Sequence, residues 1–290
     1  ADTAFASAGG DPQAGSEAAR ACLDPYPENY FDSILALDIE TGAINWSQRI
    51  VGYDVWHVAC LFGISFICPE PAGLDVDFGQ SPIFYSITDE SASKGDGNPV
   101  MRDVIGVGQK SGDYWIMDAE TGDILQNTQV SPGGIAGGIQ WGSAYDGERI
   151  YTSSANSDNK LWTLPDGSQA TGGIWSALNP ATGEILWQTA APITPSTPQN
   201  PFTPYEDGPK SGGAATIANG VVYVCSWDDA GTLYALDAAS GEFRWSFESG
   251  GTCNSGAAVS KGVVFWGSGY ASFGSGTNSR KIYAFSLPQK

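Results

Sequence analysis

His57 is the only histidine in the chain, and Asp54 stands three residues before it. An imidazole gives and takes protons near neutral pH, so His57 is the first candidate for a general base, with Asp54 as its substitute. A lone histidine also serves a structural role in many folds, and Asp54 can equally be structural. Lys110 follows a short apolar strand, where a lysine often sits as a solvated turn residue. Other chemistries lack their residues. The five cysteines, Cys22, Cys60, Cys68, Cys225 and Cys253, form no CxxC or Cys/His group that would hold zinc, and no CxxCH exists for covalent haem. No Gly-x-Ser-x-Gly elbow stands in surroundings that suit a hydrolase, and Asp77-Phe78-Gly79 has no phosphate loop or catalytic loop beside it. Asp75-Val76-Asp77 and Asp228-Asp229 lack the spacing of a Ca²⁺ loop and read as turn acids.

The elements that must position these residues announce themselves by repetition. Ala36 to Trp46 (ALDIETGAINW) returns as Ile116 to Gln126 (IMDAETGDILQ), Ala177 to Trp187 (ALNPATGEILW) and Ala235 to Trp245 (ALDAASGEFRW), with a clipped copy at Tyr283 to Leu287. Repetition at intervals of tens of residues means stacked equivalent modules. In each phrase a strand ends at Asp or Asn, whose side chain can accept backbone N–H groups of the turn. Gly42, Gly122, Gly183 and Gly241 fall where the turn needs a positive φ. A second strand then carries Trp46, Trp187 or Trp245, read as rings packed between neighbouring sheets, with Ala36, Ala177 and Ala235 leaving space.

Short alternating strands (81–87, 104–108, 149–153, 220–226, 262–267) and no long helical periodicity predict an all-β chain of repeated four-stranded antiparallel sheets, a β-propeller. Residues 1–30 read as an irregular lead-in and 31–290 as one domain of about four to five blades. Residues 32–52 supply two strands, 75–130, 134–190 and 211–249 four each, and 253–287 three. Insertions at 53–74, 88–100, 156–172 and 191–210 account for the uneven spacing. Such a set begins and ends on incomplete sheets, so either a companion segment completes the ring or the first and last strands pair.

With 13 basic and 32 acidic residues the net charge is −19, which argues against nucleic acid or an anionic membrane surface as partner. No run of about twenty apolar residues is present to span a bilayer. No leader precedes Ala1, and any signal peptide is expected to be removed or to lie outside this sequence. Cys60 and Cys68 bracket a short loop and form the first expected disulfide, Cys225 and Cys253 a second, weaker pair, with Cys22 left over. An oxidising compartment suits them.

The repeated phrase resembles the tryptophan-docking motif of quinoprotein alcohol dehydrogenases, eight-bladed β-propellers that carry pyrroloquinoline quinone. Cys22-Leu23-Asp24-Pro25, Tyr30 to Asp38, Gly52 to Trp56, Asp77-Phe78-Gly79, Gln109 to Gly112, Gly137 to Gly142, Ala155 to Asp158 and Gly267 to Tyr270 are most similar to polyvinyl-alcohol dehydrogenases and their eukaryotic relatives. The matches run collinearly from about residue 21 to 287 and cover the C-terminal half of the family's propeller. The family's N-terminal half, with its adjacent-cysteine disulfide, Ca²⁺-binding Glu and Asn and stacking tryptophan, has no counterpart here.

The resemblance implies a secreted or periplasmic dehydrogenase, or one polypeptide of it. It would move hydride from a primary or secondary alcohol or polyol to the quinone, with Ca²⁺, provided the missing half of the site comes from elsewhere, and with an external electron acceptor instead of haem. Lys110 matches the basic residue at the quinone's ortho-carbonyls, where a cation steadies negative charge on oxygen. His57 takes the place of the family's catalytic aspartate, which also helps hold Ca²⁺, and a neutral imidazole is a poor Ca²⁺ ligand. Gln140 and Trp141 match a polar–tryptophan pair facing the quinone, and Tyr270 an aromatic at its border. The competing expectation is a propeller that kept the fold for binding or scaffolding and lost the chemistry.

Overall fold

The computed structural model describes residues 30–50, 54, 56–61, 63, 68, 72–93, 99–195, 197, 207–271 and 276–287. Cys22, Gly52, Tyr53, Val55, the lead-in up to residue 29 and residues 198–206 of the Pro-rich insertion fall outside them.

Five sheets follow one another along the chain. The first pairs β1 (Ser33–Leu37) with β2 (Ile44–Arg49). A single helical turn, α1 (Val58–Leu61), follows. The second sheet runs β3 (Ile83–Ser93), β4 (Pro99–Gly108), β5 (Asp113–Asp118), β6 (Ile124–Gln129). The third is built from β7 (Ala144–Tyr145), β8 (Ile150–Ser154), β11 (Ile174–Leu178) and β12 (Ile185–Ala190), with the small hairpin β9 (Trp162–Thr163) and β10 (Gln169–Ala170) in its 156–172 insertion. The fourth is β13 (Lys210–Ala218), β14 (Val221–Trp227), β15 (Thr232–Asp237), β16 (Phe243–Glu248). The last is β17 (Ala258–Ser260), β18 (Val263–Ser268) and β19 (Lys281–Ser286). All pairings are antiparallel, and the inventory of two, four, four, four and three strands matches the sequence grouping. The first and last strands do not pair: among the described strands β1 neighbours only β2, and β19 only β18.

Four buried clusters lie at the four joints between successive sheets. Ile34 and Ile50 meet Val107, Trp115 and Met117; Tyr85, Val104 and Tyr114 meet Ile139, Ile150 and Leu178; Tyr151, Trp175 and Trp187 meet Val222, Tyr234 and Leu236; Cys225 and Leu233 meet Cys253 and Trp266. Burying one face of each sheet on the next is the source of cohesion in stacked modules.

The repeated phrase couples those modules more specifically than its local reading implies. Asp38, Asp118, Asn179 and Asp237 each cap their own turn through Oδ1, as expected. The four phrase glycines all have φ between 71° and 79°. The tryptophan, however, docks on the glycine of the next phrase. A Cβ on Gly122 would lie 2.6 Å from the Trp46 ring, and one on Gly241 2.5 Å from the Trp187 ring. Each indole N–H then donates to the carbonyl just after the next capping aspartate, Trp46 to Ala119 (3.1 Å) and Trp187 to Ala238 (3.0 Å). Trp245 departs from the pattern: its ring stacks on Phe247, meets Phe285 edge-on and remains 41% exposed.

Candidate functional site

Lys110 sits in the tight turn between β4 and β5. Gln109 N–H donates to Asp113 O and Gly112 N–H to Gln109 O, both at 3.0 Å, and Gly112 takes φ 88°, which any Cβ would oppose. The Gln109 Oε1 accepts from Trp115 Nε1 (3.2 Å) and Ser111 Oγ (2.9 Å), locking the turn from beneath. Lys110 N–H donates to Asp77 O at 3.1 Å, which ties the turn to the 72–80 loop.

The lysine is therefore not a solvated turn residue. Its ammonium is buried and ion-paired to Asp75 Oδ1 (2.9 Å) and Asp77 Oδ2 (2.7 Å). Burial alone would lower its pKa, but the two carboxylates outweigh that and hold it above the ordinary value. Burial likewise pushes Asp77 up, and the Lys110 bonds pull it below the usual carboxylate range. Asp75 stays raised, to about 6, because burial exceeds what Lys110 returns. Asp75 and Asp77, read from sequence as turn acids, are thus the counter-ions of the candidate site. Asp75 does occupy a turn conformation, with φ 59°.

Asp54 lies in the same electrostatic neighbourhood. Its Oδ1 accepts Trp56 N–H (3.1 Å) and its Oδ2 accepts Val76 N–H (2.9 Å), so it staples the segment after β2 to the 72–80 loop. Gly73 is obligatory beneath it, since a Cβ there would lie 2.5 Å from Oδ1. Burial raises the Asp54 pKa, the nearby Asp77 adds to this, and the backbone donors oppose it.

Asp32, which no sequence signal marked, joins the group. Its side chain is only 8% exposed, its Oδ2 has no hydrogen-bond partner, and its backbone is left-handed with φ 46°. Burial, then the charges of Asp54 and Asp77 and the nearness of the Asp77 carboxyl, push it up to about 7. A position immediately before a strand gives no hint of this, because the three partner carboxylates come from 22 to 45 residues further on.

His57 opens α1. Its Nδ1 accepts Ala59 N–H at 3.4 Å and its carbonyl accepts Cys60 N–H at 2.8 Å, while Cys60 is joined to Cys68. An Nδ1 that accepts places the neutral ring's proton on Nε2. The exposed imidazole therefore caps the start of α1.

Gln140 is wedged between Gly79 and Gly137, leaving no room for a Cβ at either, and its Oε1 is buried without a partner. Trp141 is edge-on to Trp227 (6.4 Å between centroids), and Trp227 is edge-on to Tyr270 (5.9 Å). The indole Nε1 atoms of Trp141 and Trp227 are also buried and unpartnered. The structure thus joins Lys110 to Asp54 through Asp75 and Asp77, and Trp141 to Tyr270 through Trp227. Sequence reading missed Trp227, although its place at a strand end directly before the Asp228-Asp229 turn was an available signal. The expected Cys60–Cys68 and Cys225–Cys253 disulfides both form, the second tying the fourth sheet to the fifth next to Trp227. Among the described residues no helix is long and apolar enough to cross a membrane.

Comparison with known proteins supplies the context for this geometry. A family model described as outer membrane protein assembly factor BamB matches residues 170–284. The chain is 29% identical over 256 residues to a polyvinylalcohol dehydrogenase of Pseudomonas sp., and 27% identical over 291 residues to one of Sphingopyxis sp. (strain 113P3). These alignments take in 83% and 91% of this chain but only 36% and 41% of those relatives. Among solved structures, the quinohemoprotein alcohol dehydrogenase from Comamonas testosteroni superposes with a TM-score of 0.58 at 16% identity, over 90% of this chain and 44% of that one. A europium-containing methanol dehydrogenase gives 0.53 at 11% identity, over 82% of this chain and 44% of that one. The fold is a β-propeller, and the matches support a pyrroloquinoline-quinone alcohol dehydrogenase-like family.

Proposed function

We propose that this chain is one part of a secreted or periplasmic quinone-dependent alcohol dehydrogenase acting on a primary or secondary alcohol or a polyol, with electrons leaving to an external acceptor. When bound, pyrroloquinoline quinone would supply the hydride acceptor and Ca²⁺ a Lewis acid. The single observation that carries the reading is the buried Lys110 ammonium, fixed by two carboxylates. An ammonium has three N–H donors, so one remains to aim at an electron-rich ligand oxygen after Asp75 and Asp77 take two. The unpartnered Trp141 Nε1, Trp227 Nε1 and Gln140 Oε1 also suit a planar polar ligand, with Tyr270 bordering the aromatic row. For the metal the fit is absent: among the described residues no group of three or more His, Cys, Asp or Glu could hold a metal ion. Ca²⁺ ligands would have to come from outside them.

Within the chain, Asp54 is the better proton acceptor. Its carboxylate is more basic than usual, and each oxygen keeps a lone pair beyond the backbone bond it accepts. His57, whose Nδ1 is already engaged by Ala59 N–H, is the weaker candidate.

A companion polypeptide or segment that completes the ring fits the unequal sheets. The outer residues of the first and last sheets are apolar and exposed, Leu37 at 57% and Ile282 at 85%. The same two disulfides suit an oxidising compartment. The second reading, a binding scaffold that has lost the chemistry, is favoured by the neutralised Lys110 and by a histidine at the family's aspartate position.

Titration of the purified protein with pyrroloquinoline quinone in Ca²⁺, followed by tryptophan fluorescence, tests the proposal. Binding that weakens about tenfold or more in Lys110→Ala, roughly 1.4 kcal/mol, is expected, together with alcohol-dependent dye reduction. Binding without dye reduction selects the scaffold. No binding, and no second polypeptide in a native mass spectrum, overturns the enzyme reading.

A further inference from the structure

Five ionisable groups from four separate segments converge beside β1. Asp32 precedes the strand, Asp54 follows β2, Asp75 and Asp77 lie on the 72–80 loop, and Lys110 occupies the β4–β5 turn. Among the described residues, Arg49 on β2 stands opposite Ser33, the neighbour of Asp32, and its guanidinium lies over the Phe31 ring at 5.1 Å. One ammonium faces four carboxyls. Two of these bind it directly, and Asp54 is held by backbone donors. Asp32 has neither kind of partner for its Oδ2, although it is more than nine-tenths buried. A buried carboxylate oxygen without donors is costly, whereas a protonated carboxyl can spend its O–H on a neighbouring carboxylate. Asp77 is the carboxylate next to Asp32, and its ion pair with Lys110 favours its ionised form.

We propose that Asp32 is the proton-holding member of this group, donating its O–H to Asp77, and that gain or loss of that one proton decides whether the Lys110 site accepts an anionic ligand. With Asp32 protonated, Asp75 and Asp77 bind Lys110 and leave its third donor usable. On release of the proton to solvent, one more negative charge is added beside Asp77, and an anion at Lys110 is repelled more strongly. Both non-glycine residues in this group with left-handed backbones, Asp32 and Asp75, bear the carboxyls that burial raises most clearly. Backbone strain of this kind persists where surrounding structure enforces it. Asp32 acts through Asp77 and Lys110 and is a positioning residue.

The gate for an anion rests on the quinone reading above, and the proton assignment does not, so two measurements separate them. The first is a side-chain carboxyl NMR titration of the protein without ligand. One aspartate titrating near neutral pH, lost in Asp32→Asn and moved toward the ordinary carboxyl range in Asp77→Asn, is expected. A chain in which nothing titrates there, or in which Asp77→Asn leaves the titration in place, overturns the proposal even if Asp32→Asn fails to fold. The second is the affinity for pyrroloquinoline quinone, whose carboxylates make it an anion. Affinity is expected to fall roughly tenfold from about pH 6 to about pH 8 and to lose that slope in Asp32→Asn. An unchanged slope in Asp32→Asn overturns the gate. Loss of the titration in Asp32→Asn, with no quinone bound at any pH, supports the proton assignment and overturns the quinone reading instead.

Discussion

Asp237 and Asp32 are the same residue type in opposite circumstances. Asp237, in an outer turn, receives Ala239 and Ser240 N–H groups at 3.0 Å and Arg244 at 2.9 Å, and its pKa is lowered to about 2, chiefly by Arg244. Asp38 is lowered in the same way by Thr41. Asp32, buried among carboxyls with no donor for Oδ2, is raised to about 7. Donors supplied two to seven residues away stabilise charge. Burial among groups tens of residues away opposes it. The outer turns are therefore local structures repeated for architecture, while the inner loops form a polar site assembled by the fold.

The largest expected effect probes the architecture. Trp187 is 8% exposed, fills the space over Gly241 and donates to Ala238. Trp187→Ala should cost about 3–5 kcal/mol. Trp245→Ala, at 41% exposure and without that docking, should cost about 1–2 kcal/mol. Chemical denaturation of the two variants reads the difference, and equal losses would dissolve the distinction between docked and undocked rings.

This contrast also marks what the chain discloses by itself. The phrases, the turn glycines, the strand grouping and both disulfides are legible because each depends on residues close together or on repetition. That Trp46 and Trp187 reach across to the next phrase's glycine is only implicit, since spacing names the partners without naming the joint. The Lys110 turn can be found, but its counter-ions cannot. Asp75, Asp77 and Asp32 carry no local pattern separating them from Asp228 or Asp229. His57 is conspicuous as a unique residue, yet its bond to Ala59 depends on a four-residue helix that no periodicity could reveal.

The next effect probes the inner site. Lys110→Met leaves Asp75 and Asp77 without a cation, and breaking such a partly buried pair should cost about 3 kcal/mol at neutral pH. The loss should shrink as the carboxyls are protonated in acid, because a neutral Asp75 no longer needs the ammonium. Thermal melts across pH would show this convergence. A loss that does not change with pH would mean that Lys110 matters for its methylene packing, and the inner site would then resemble the outer framework.

The smallest effect is the most discriminating. Asp237→Asn keeps an oxygen that accepts the turn N–H groups, as Asn179 does in the third phrase at 2.9 Å and 3.2 Å, and removes only the charge facing Arg244. A carboxylate whose folded pKa lies below its ordinary 3.8 adds stability above that value and loses it as pH falls toward about 2. The wild-type protein should thus melt slightly above Asp237→Asn at pH 5, and the two should converge near pH 2. Asp32→Asn should behave in the opposite sense. A carboxyl raised from 3.8 to about 7 costs the folded state progressively as pH rises through that interval, so the variant should gain on the wild type toward pH 8 and match it best in acid. Two aspartate-to-asparagine changes with pH profiles of opposite sign would establish that local donors and non-local burial set these two carboxyls. Profiles of the same sign would mean that the protein's overall charge of −19 dominates both.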